Sequence, residues 1–188
     1  MQARWQEPRT SDVNASSLLC DSRWPTQIRV HINACYGVCM IFVQRLVYLR
    51  RFRVARALLL ILFGVDLPAQ VRVGRDFQLV HRGLGTVVNG NTVIGDRVRI
   101  YHQVTIGRLD AHLPLKDSKM NCIEICDDVV LFPGSKILGG DGVTRIGNGT
   151  IVAANAVVTS STGPNEIWGG IPAKKIGDRG AVHRPEKA

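Results

Sequence analysis

The repeat that determines the fold lies in Leu79–Gly107, which reads LVHRGLGTVVNGNTVIGDRVRIYHQVTIG. Its aliphatic side chains recur at every sixth position, namely Val88, Ile94, Ile100 and Ile106. Small or β-branched residues stand four positions after the first three of these, namely Thr92, Val98 and Val104. Neither the helical period of about 3.6 residues nor simple alternation produces this spacing. A six-residue repeat is typical of a parallel β-helix, in which each hexad supplies one short strand and one corner.

The six-residue register extends to both sides of this stretch. It begins at Leu67 and crosses a three-residue insertion after Leu79, which we expect to place residues 82–85 in a bulged corner because glycine tolerates positive φ. A polar loop is predicted from Arg108 to about Glu124. The register then resumes, with a second three-residue insertion, at Ile125, Leu131, Ile137, Ile146, Val152 and Val158. We therefore predict that residues 64–177 form the β-helix.

Two histidines occupy equivalent places in this register. His81 follows Leu79 by two residues, and His102 follows Ile100 by two residues. If three hexads make one coil, Leu79 and Ile100 are one coil apart, and equivalent residues stack at roughly 4.8 Å. We therefore expect His102 directly above or below His81, which makes the pair a candidate site.

Length and charge limit the function further. The chain has 188 residues, 45% of them hydrophobic, which suits one domain with a sizeable core. A net charge of +9 makes an anionic partner plausible. Nucleic acid is disfavoured, because no recognition-helix pattern or aromatic–basic binding motif accompanies the charge.

The segments outside the repeat are polar or helical in character. We predict a disordered tail over residues 1–25, a helical segment over 26–63 and a charged tail over 178–188. No apolar core follows the basic residues at the amino terminus, which favours a cytoplasmic protein. The helical segment either packs on the end of the β-helix or at a subunit contact, or it lies on a membrane surface with its arginines toward anionic head groups. Those arginines are Arg45, Arg50, Arg51, Arg53 and Arg56.

The five cysteines are odd in number and follow no secretory signal. The spacings Cys35–Cys39 and Cys122–Cys126 superficially resemble a zinc ligand set, but the first pair lies in an apolar stretch. Free thiols are therefore expected, and no metal is predicted.

Four motifs together resemble the serine acetyltransferase family of hexapeptide-repeat acyltransferases. They are VDLPAQVRVGRDFQLVHRGLGTVV, VIGDRVRIYHQVTIG, KILGGDGVTRIGNGTIVAANAVV and GGIPAKKIG, and they cover residues 64–177. The resemblance implies a left-handed parallel β-helix, a homotrimer with active sites between neighbouring subunits, and acetyl-CoA as the acyl donor. A short polysaccharide-type O-acetyltransferase is the branch that we favour.

The resemblance also assigns roles to individual residues. His81 takes the place of the family's catalytic histidine, and Asp66 that of the aspartate paired with it. A neutral imidazole can accept the proton of an acceptor hydroxyl, while the carboxylate holds its tautomer. The residues that match CoA-contacting positions are Gly107, Gly134, Ser135, Lys136, Ala153, Ala154, Gly170, Ile171, Pro172, Ala173, Lys174 and Lys175. Lys136, Lys174 and Lys175 are candidates for the CoA phosphates.

The acceptor half of the family pattern is changed. Val80 stands where the family has an aspartate that holds the serine amino group, and Asn121–Cys122 stands where it has an arginine and a histidine. A zwitterion would be poorly paired there. We therefore favour a sugar or polysaccharide-precursor hydroxyl as acceptor, with serine O-acetylation for cysteine biosynthesis as the alternative. His102 and His112 are candidate acceptor contacts.

Two other function classes remain open. Some β-helices of this shape hold zinc between subunits with three histidines, which would make a hydratase; His81 and His102 supply only two. A non-catalytic trimeric scaffold is the other possibility, and it predicts that loss of the His81 imidazole leaves function intact.

Overall fold

The computed structural model describes residues 40–180, which belong to one compact unit. The predicted disordered tail, the first part of the helical segment and most of the charged tail lie outside these residues. Two helices come first in this range: α1, over residues 40–48, and α2, Arg53–Phe63. In the part of the chain that is described, neither helix is long and apolar enough to cross a membrane.

Helix α2 leads directly into the β structure. Gly64 ends it with φ 62°, a left-handed conformation typical of the residue after a helix, and the N–H of Gly64 donates to the Leu60 carbonyl at 2.9 Å. Two residues after Gly64, the N–H of Asp66 donates a hydrogen bond to the Thr86 carbonyl at 2.9 Å. The helical segment is therefore joined to the first coil without a linker.

Within residues 40–180, fourteen strands form three sheets, and strands β1 to β12 visit the sheets in rotation before β13 and β14 both join the second. The first sheet contains β1 (Arg72–Val73), β4 (Thr92–Ile94), β7 (Met120–Ile125) and β10 (Gly142–Ile146). The second contains β2 (Gln78–Leu79), β5 (Arg99–Ile100), β8 (Val130–Leu131), β11 (Ile151–Val152), β13 (Glu166–Gly170) and β14 (Ala173–Asp178). The third contains β3 (Val87–Val88), β6 (Thr105–Arg108), β9 (Lys136–Gly139) and β12 (Val157–Val158). This rotation is the topology of a β-helix, as the repeat predicts.

The hexad aliphatics form the core because the coils stack in register. Leu79 pairs with Ile100, Ile100 with Leu131, and Leu131 with Val152, all in parallel strands. These four side chains are at most 2% exposed. Each strand is too short to bury an aliphatic side chain alone, so the core exists only through stacking.

The corners are turns whose conformations repeat from coil to coil. At one corner Asp76, Arg97, Asp128 and Gly149 all have positive φ. Ion pairs join the successive coils there, with Arg75 to Asp96 and Arg97 to Asp128 both at 2.8 Å. The hydrogen bond that Arg97 donates to Asp128 holds the pKa of its guanidinium above the usual range. These ion pairs therefore connect successive coils along the axis of the β-helix.

The predicted polar loop is shorter than expected. Strand β7 begins at Met120 and pairs with both β4 and β10, so the loop covers residues 109–119 and the expectation that it reaches Glu124 is wrong. Met120 and Ile123 are buried, and this inward packing extends the strand upstream of the hexad residue Ile125.

Candidate active site

His81 lies in an unusual turn at the corner after β2. The 3₁₀ turn Val80–Gly83 contains His81 with φ 52° and Arg82 with φ 65°, and Gly83 and Gly85 also have positive φ. The predicted bulged corner is confirmed. Side-chain-bearing residues rarely adopt this region, and where they do they cluster at functional sites. The turn leaves the His81 imidazole exposed.

The stacking of His81 and His102 is confirmed. Their ring centroids are 5.7 Å apart in a T-shaped arrangement. His102 is half-buried, and its Nδ1 is buried without a hydrogen-bond partner. A part of the acceptor or a solvent molecule would satisfy that nitrogen. Its role in acceptor binding stays a prediction.

Two aromatic residues extend this cluster. The ring centroid of Tyr101 lies 5.9 Å from that of His81, and Phe132 stacks on Tyr101 at 5.2 Å with 19° between the ring planes. Both rings are half-buried. The sequence interpretation missed them, although the stacking rule that placed His102 above His81 also places Tyr101 and Phe132 in the column of Val80. An aromatic wall therefore stands beside the imidazole.

Asp66 lies one coil before Val87, with which it forms a parallel bridge. Its carboxylate is exposed, and within residues 40–180 no hydrogen bond or ion pair joins it to His81. The catalytic pairing of Asp66 with His81, which the family resemblance implies, stays a prediction.

The predicted donor-binding residues lie along one edge of the β-helix. The N–H of Gly134 donates to the carbonyl of His102 at 3.1 Å, and the N–H of Asn155 donates to that of Pro133 at 3.0 Å. The corners that contain His81, His102, Gly134 and Ala154 therefore stack on one another in successive coils. Gly107 lies on the neighbouring β6, whose strand pairs with that of Lys136.

Gly134 has a backbone conformation that glycine favours. Its φ is 71°, and a Cβ there would collide with the side-chain oxygen of Asn155 in the next coil. Ser135, which follows, is fully buried with its hydroxyl unpaired inside the corner. The Ser135 side chain is therefore not available to a ligand on the surface, and its backbone N–H and carbonyl already pair with Phe132 and Thr105.

The three lysines predicted to bind phosphates differ in their surroundings. Lys136 is exposed but folds back, with Nζ donating to the Gly134 carbonyl at 3.0 Å. Lys175 pairs with Asp178 at 2.7 Å and with Glu166 at 3.3 Å, and these partners raise its pKa. Lys174 is exposed and enters no ion pair within residues 40–180. Lys174 is thus the lysine most open to a phosphate.

The turn that carries residues 170–173 lies at the far end of the same sheet. It joins β13 and β14, the one antiparallel pair in the described part of the chain, and contains the cis peptide Ile171–Pro172. Ala153 and the hairpin are linked by a hydrogen bond from the Ala153 N–H to the Trp168 carbonyl at 2.8 Å. Four strand steps separate β2 from β13, a span of roughly 19 Å.

The changed acceptor positions lie in three different elements. Val80 is half-buried in the turn of His81. Asn121 is exposed and Cys122 half-buried, both in β7 of the first sheet. His112 is exposed in the loop before β7. Within one chain, His81, His102 and Val80 therefore lie together at one set of corners. His112 and residues 121–122 belong to other elements.

The described cysteines and histidines do not form a metal site. No group of three or more potential ligands comes together within residues 40–180. Cys122 and Cys126 are free thiols whose pKa values are raised by burial. Cys20, Cys35 and Cys39 lie outside the described residues.

Comparison with known proteins identifies relatives on both sequence and structure. The serine acetyltransferase of Mycobacterium tuberculosis is 31% identical over 84% of this chain and 67% of its own length. Serine acetyltransferase 4 of Arabidopsis thaliana is 36% identical over 61% of this chain, which spans only 30% of that protein. The chain therefore covers less than half the length of several curated relatives that it matches. No protein-family model matches the chain.

Solved structures show the same architecture. The serine acetyltransferase of Brucella abortus strain S19 in complex with coenzyme A superposes with a TM-score of 0.61 and 27% identity, over 77% of this chain and 56% of that one. The Neisseria gonorrhoeae enzyme in complex with serine superposes with a TM-score of 0.55 and 30% identity, over 65% and 46%.

The fold and the site thus define a left-handed parallel β-helix protein of the hexapeptide-repeat transferase class, and the predicted fold class is confirmed. Within that class, the chain belongs to the serine acetyltransferase family, as its motifs predicted. The polysaccharide branch is not supported by these relatives.

Proposed function

We propose that the protein is an acetyl-CoA-dependent O-acetyltransferase with His81 as general base. One observation carries this proposal: an exposed imidazole stands at one end of a column of corners that contains Gly134 and Ala154 and leads toward the Gly170–Lys175 hairpin. An extended donor such as CoA needs an elongated surface of this kind. The Brucella abortus serine acetyltransferase solved with coenzyme A supports this donor.

The chemistry follows from the exposed imidazole. Bound acetyl-CoA would supply an activated acyl group as a thioester. The neutral ring of His81 takes the proton of the acceptor hydroxyl as its oxygen forms the bond to the acyl carbon. When the carbon–sulfur bond breaks, the imidazolium returns that proton to the leaving thiolate. A backbone N–H of a glycine-rich turn is the simplest donor to the oxyanion in between.

The preferred acceptor is L-serine. The relatives are serine acetyltransferases, and one of them is solved in complex with serine, so they support this acceptor better than the sugar that the sequence alone favoured. The preference for a sugar rested on the missing charges at Val80 and residues 121–122. Serine therefore requires charged partners from elsewhere, of which a neighbouring subunit is one source.

A sugar hydroxyl is the second candidate, and a specific observation favours it. Val80, Tyr101 and Phe132 form an apolar column next to His81, and apolar rings pack against the hydrocarbon face of a sugar better than they pair a zwitterion. A sugar acceptor would pack against the rings of Tyr101 and Phe132, whereas serine would not need them.

An acceptor screen with Phe132→Ala separates these two candidates. Release of CoA thiol is followed with acetyl-CoA and either L-serine or a panel of nucleotide-linked and free sugars. Turnover with serine that Phe132→Ala leaves nearly unchanged supports serine. Turnover with sugars alone, with KM raised by Phe132→Ala, supports the second candidate. No thiol release with any hydroxyl acceptor would contradict the proposed activity.

We also propose that the protein acts as a homotrimer with sites between subunits. The support is the family membership and the site itself, because one chain leaves His81 exposed and places residues 121–122 in a different sheet from β2, the strand that precedes His81. A second subunit is the natural source of the missing acceptor contacts.

A further inference from the structure

The helical segment carries a surface that neither the β-helix nor the proposed reaction uses. Helix α2 buries Ala55 and Leu59 and packs Leu58 and Phe63 partly against the core, while its remaining apolar side chains are exposed. Ile61 is 77% exposed and Val54 is 71% exposed. We define the outward surface of α2 as the residues Phe52, Arg53, Val54, Arg56, Ala57, Leu60 and Ile61, all exposed.

Two arginines lie beside apolar side chains on this outward surface. At 100° per residue, about half of the helix circumference, on the side opposite the buried Ala55, holds in order Arg56, Leu60, Arg53, Ala57, Ile61 and Val54. Helices that lie in a membrane interface combine large apolar side chains with neighbouring basic residues that face anionic head groups. A helix of eleven residues is about 16 Å long, so it can lie in that plane but not cross it.

The charge of the whole segment has one sign. Residues 40–65 contain five arginines and no aspartate, glutamate or lysine, so they hold more than half of the net charge of +9. Arg45, Arg51, Arg53 and Arg56 are exposed and belong to no ion pair within the described chain. Arg50 is different: it is buried and donates to the carbonyls of Val47 and Val71, and burial lowers its pKa. The expectation that Arg50 faces head groups is therefore wrong.

We propose that the outward surface of α2 binds the anionic surface of a phospholipid membrane. Leu60, Ile61 and Phe52 would enter the boundary between head groups and acyl chains, and the guanidinium groups of Arg53 and Arg56 would contact lipid phosphates. A second copy of the chain is a poorer occupant, because a symmetric contact of α2 with α2 would bring like charges together. This inference is independent of the proposed enzymatic activity.

Vesicle sedimentation with the full chain tests the proposal. The probe is vesicles of two parts phosphatidylcholine to one part phosphatidylserine, compared with pure phosphatidylcholine, at low and high salt. We expect sedimentation with the anionic vesicles at low salt and partial release at high salt, because head-group attraction is screened. Absence of sedimentation with anionic vesicles at low salt would overturn the proposal.

Two variants probe the two components of the surface. R53Q/R56Q should lower the partition coefficient about twenty-five-fold, at roughly fivefold for each charge near the surface. Ile61→Ser should lower it about tenfold through lost apolar insertion. The matched controls on the first sheet are Arg72→Gln and Val143→Ser, both at exposed positions, and they should bind like the native chain.

Thermal stability and oligomer mass of the same variants distinguish lost membrane contact from misfolding or altered assembly. Thermal unfolding of R53Q/R56Q should match that of the native chain, since both side chains are exposed; a variant that binds less but melts normally supports the proposal. If instead Ile61→Ser changes the oligomer mass in ultracentrifugation and leaves vesicle binding intact, a second copy covers the surface and the proposal is wrong. Equal loss in the control variants would also contradict it.

Discussion

At the scale of single residues, the candidate active site depends on a backbone conformation. His81 and Arg82 both take positive φ before Gly83, and this left-handed turn holds the imidazole at the surface next to His102. Such conformations cost about 1–3 kcal/mol each and persist only where the surroundings enforce them. The stacked coil of His102 supplies that enforcement.

Replacing His81 by asparagine isolates its chemistry from its conformation. Asparagine tolerates the left-handed region but cannot act as a base near neutral pH. We expect His81→Asn to lower kcat by about a hundredfold or more while the melting temperature stays nearly unchanged, as measured by thiol release and thermal unfolding. Gln103→Asn, at an exposed left-handed position one coil on, is the control. Full activity of His81→Asn would favour the scaffold alternative.

At the scale of secondary-structure elements, the short strands depend on the buried hexad positions. Ile137 in β9 is fully buried and pairs with Ile106 and Val158 in the neighbouring coils. Each stacked aliphatic contacts coils on both sides. Loss of one side chain therefore opens a cavity between two coils rather than at an edge.

We expect Ile137→Ala to lower the free energy of unfolding by roughly 2–5 kcal/mol, which is the cost of a large-to-small change in a core. The control is Ile176→Ala in β14, where the side chain is 66% exposed; it should stay within about 0.5 kcal/mol of the native chain. Denaturant unfolding of both variants measures the difference. Equal effects would mean that the coils do not stack in this register.

The β13–β14 hairpin has a carboxylate that should make stability depend on pH. Glu166 accepts hydrogen bonds from the Trp168 indole at 2.8 Å and the Gly163 N–H at 2.7 Å and pairs with Lys175, and these partners hold its pKa below the usual range. Its contribution is therefore present above the unfolded-state pKa of about 4.3 and is lost as pH falls through the lower folded-state pKa.

Glu166→Gln tests this dependence. The native chain should melt higher than the variant above about pH 5, and the difference should shrink as the pH falls below about 4, because the native carboxylate then becomes protonated. Thermal unfolding across this range provides the measurement. The control is Glu124→Gln, whose partner Arg145 lies on the surface of another sheet. A constant difference at every pH would contradict the assignment.

At the scale of the whole molecule, the stacked coils hold the two ends of the proposed site apart. His81 lies at the first coil and the Gly170–Lys175 turn at the last strands of the second sheet. Coil stacking alone holds these ends apart, so the number of coils sets the distance between the proposed base and the proposed donor-binding turn.

The proposed homotrimer belongs to this scale. Analytical ultracentrifugation should give a mass three times the 20.6 kDa of the chain. Mixing His81→Asn chains with chains that carry an inactivating change at a donor-binding residue should also restore part of the activity if the sites lie between subunits. A monomer with full activity would contradict the proposal, because the acceptor contacts would then have to come from one chain.

The sequence by itself determined the architecture, because a hexad repeat encodes core and corner positions locally. Leu79, Val88, Ile94 and Ile100 could be assigned to one coil before the strands were seen, and the adjacency of His81 to His102 followed from that count. The family followed from motifs at the same positions. The serine acceptor, in contrast, was favoured only by comparison with relatives.

Tertiary structure alone decided the surroundings of each side chain. Packing paired Lys175 with Glu166 and Asp178, buried Arg50 and extended β7 back to Met120. None of these follows from a repeat, because each depends on contacts between residues whose separation in the chain carries no periodic signal. Spacing along the chain determines whether a side chain points into the core or outward. Packing between coils determines which other residues that side chain contacts.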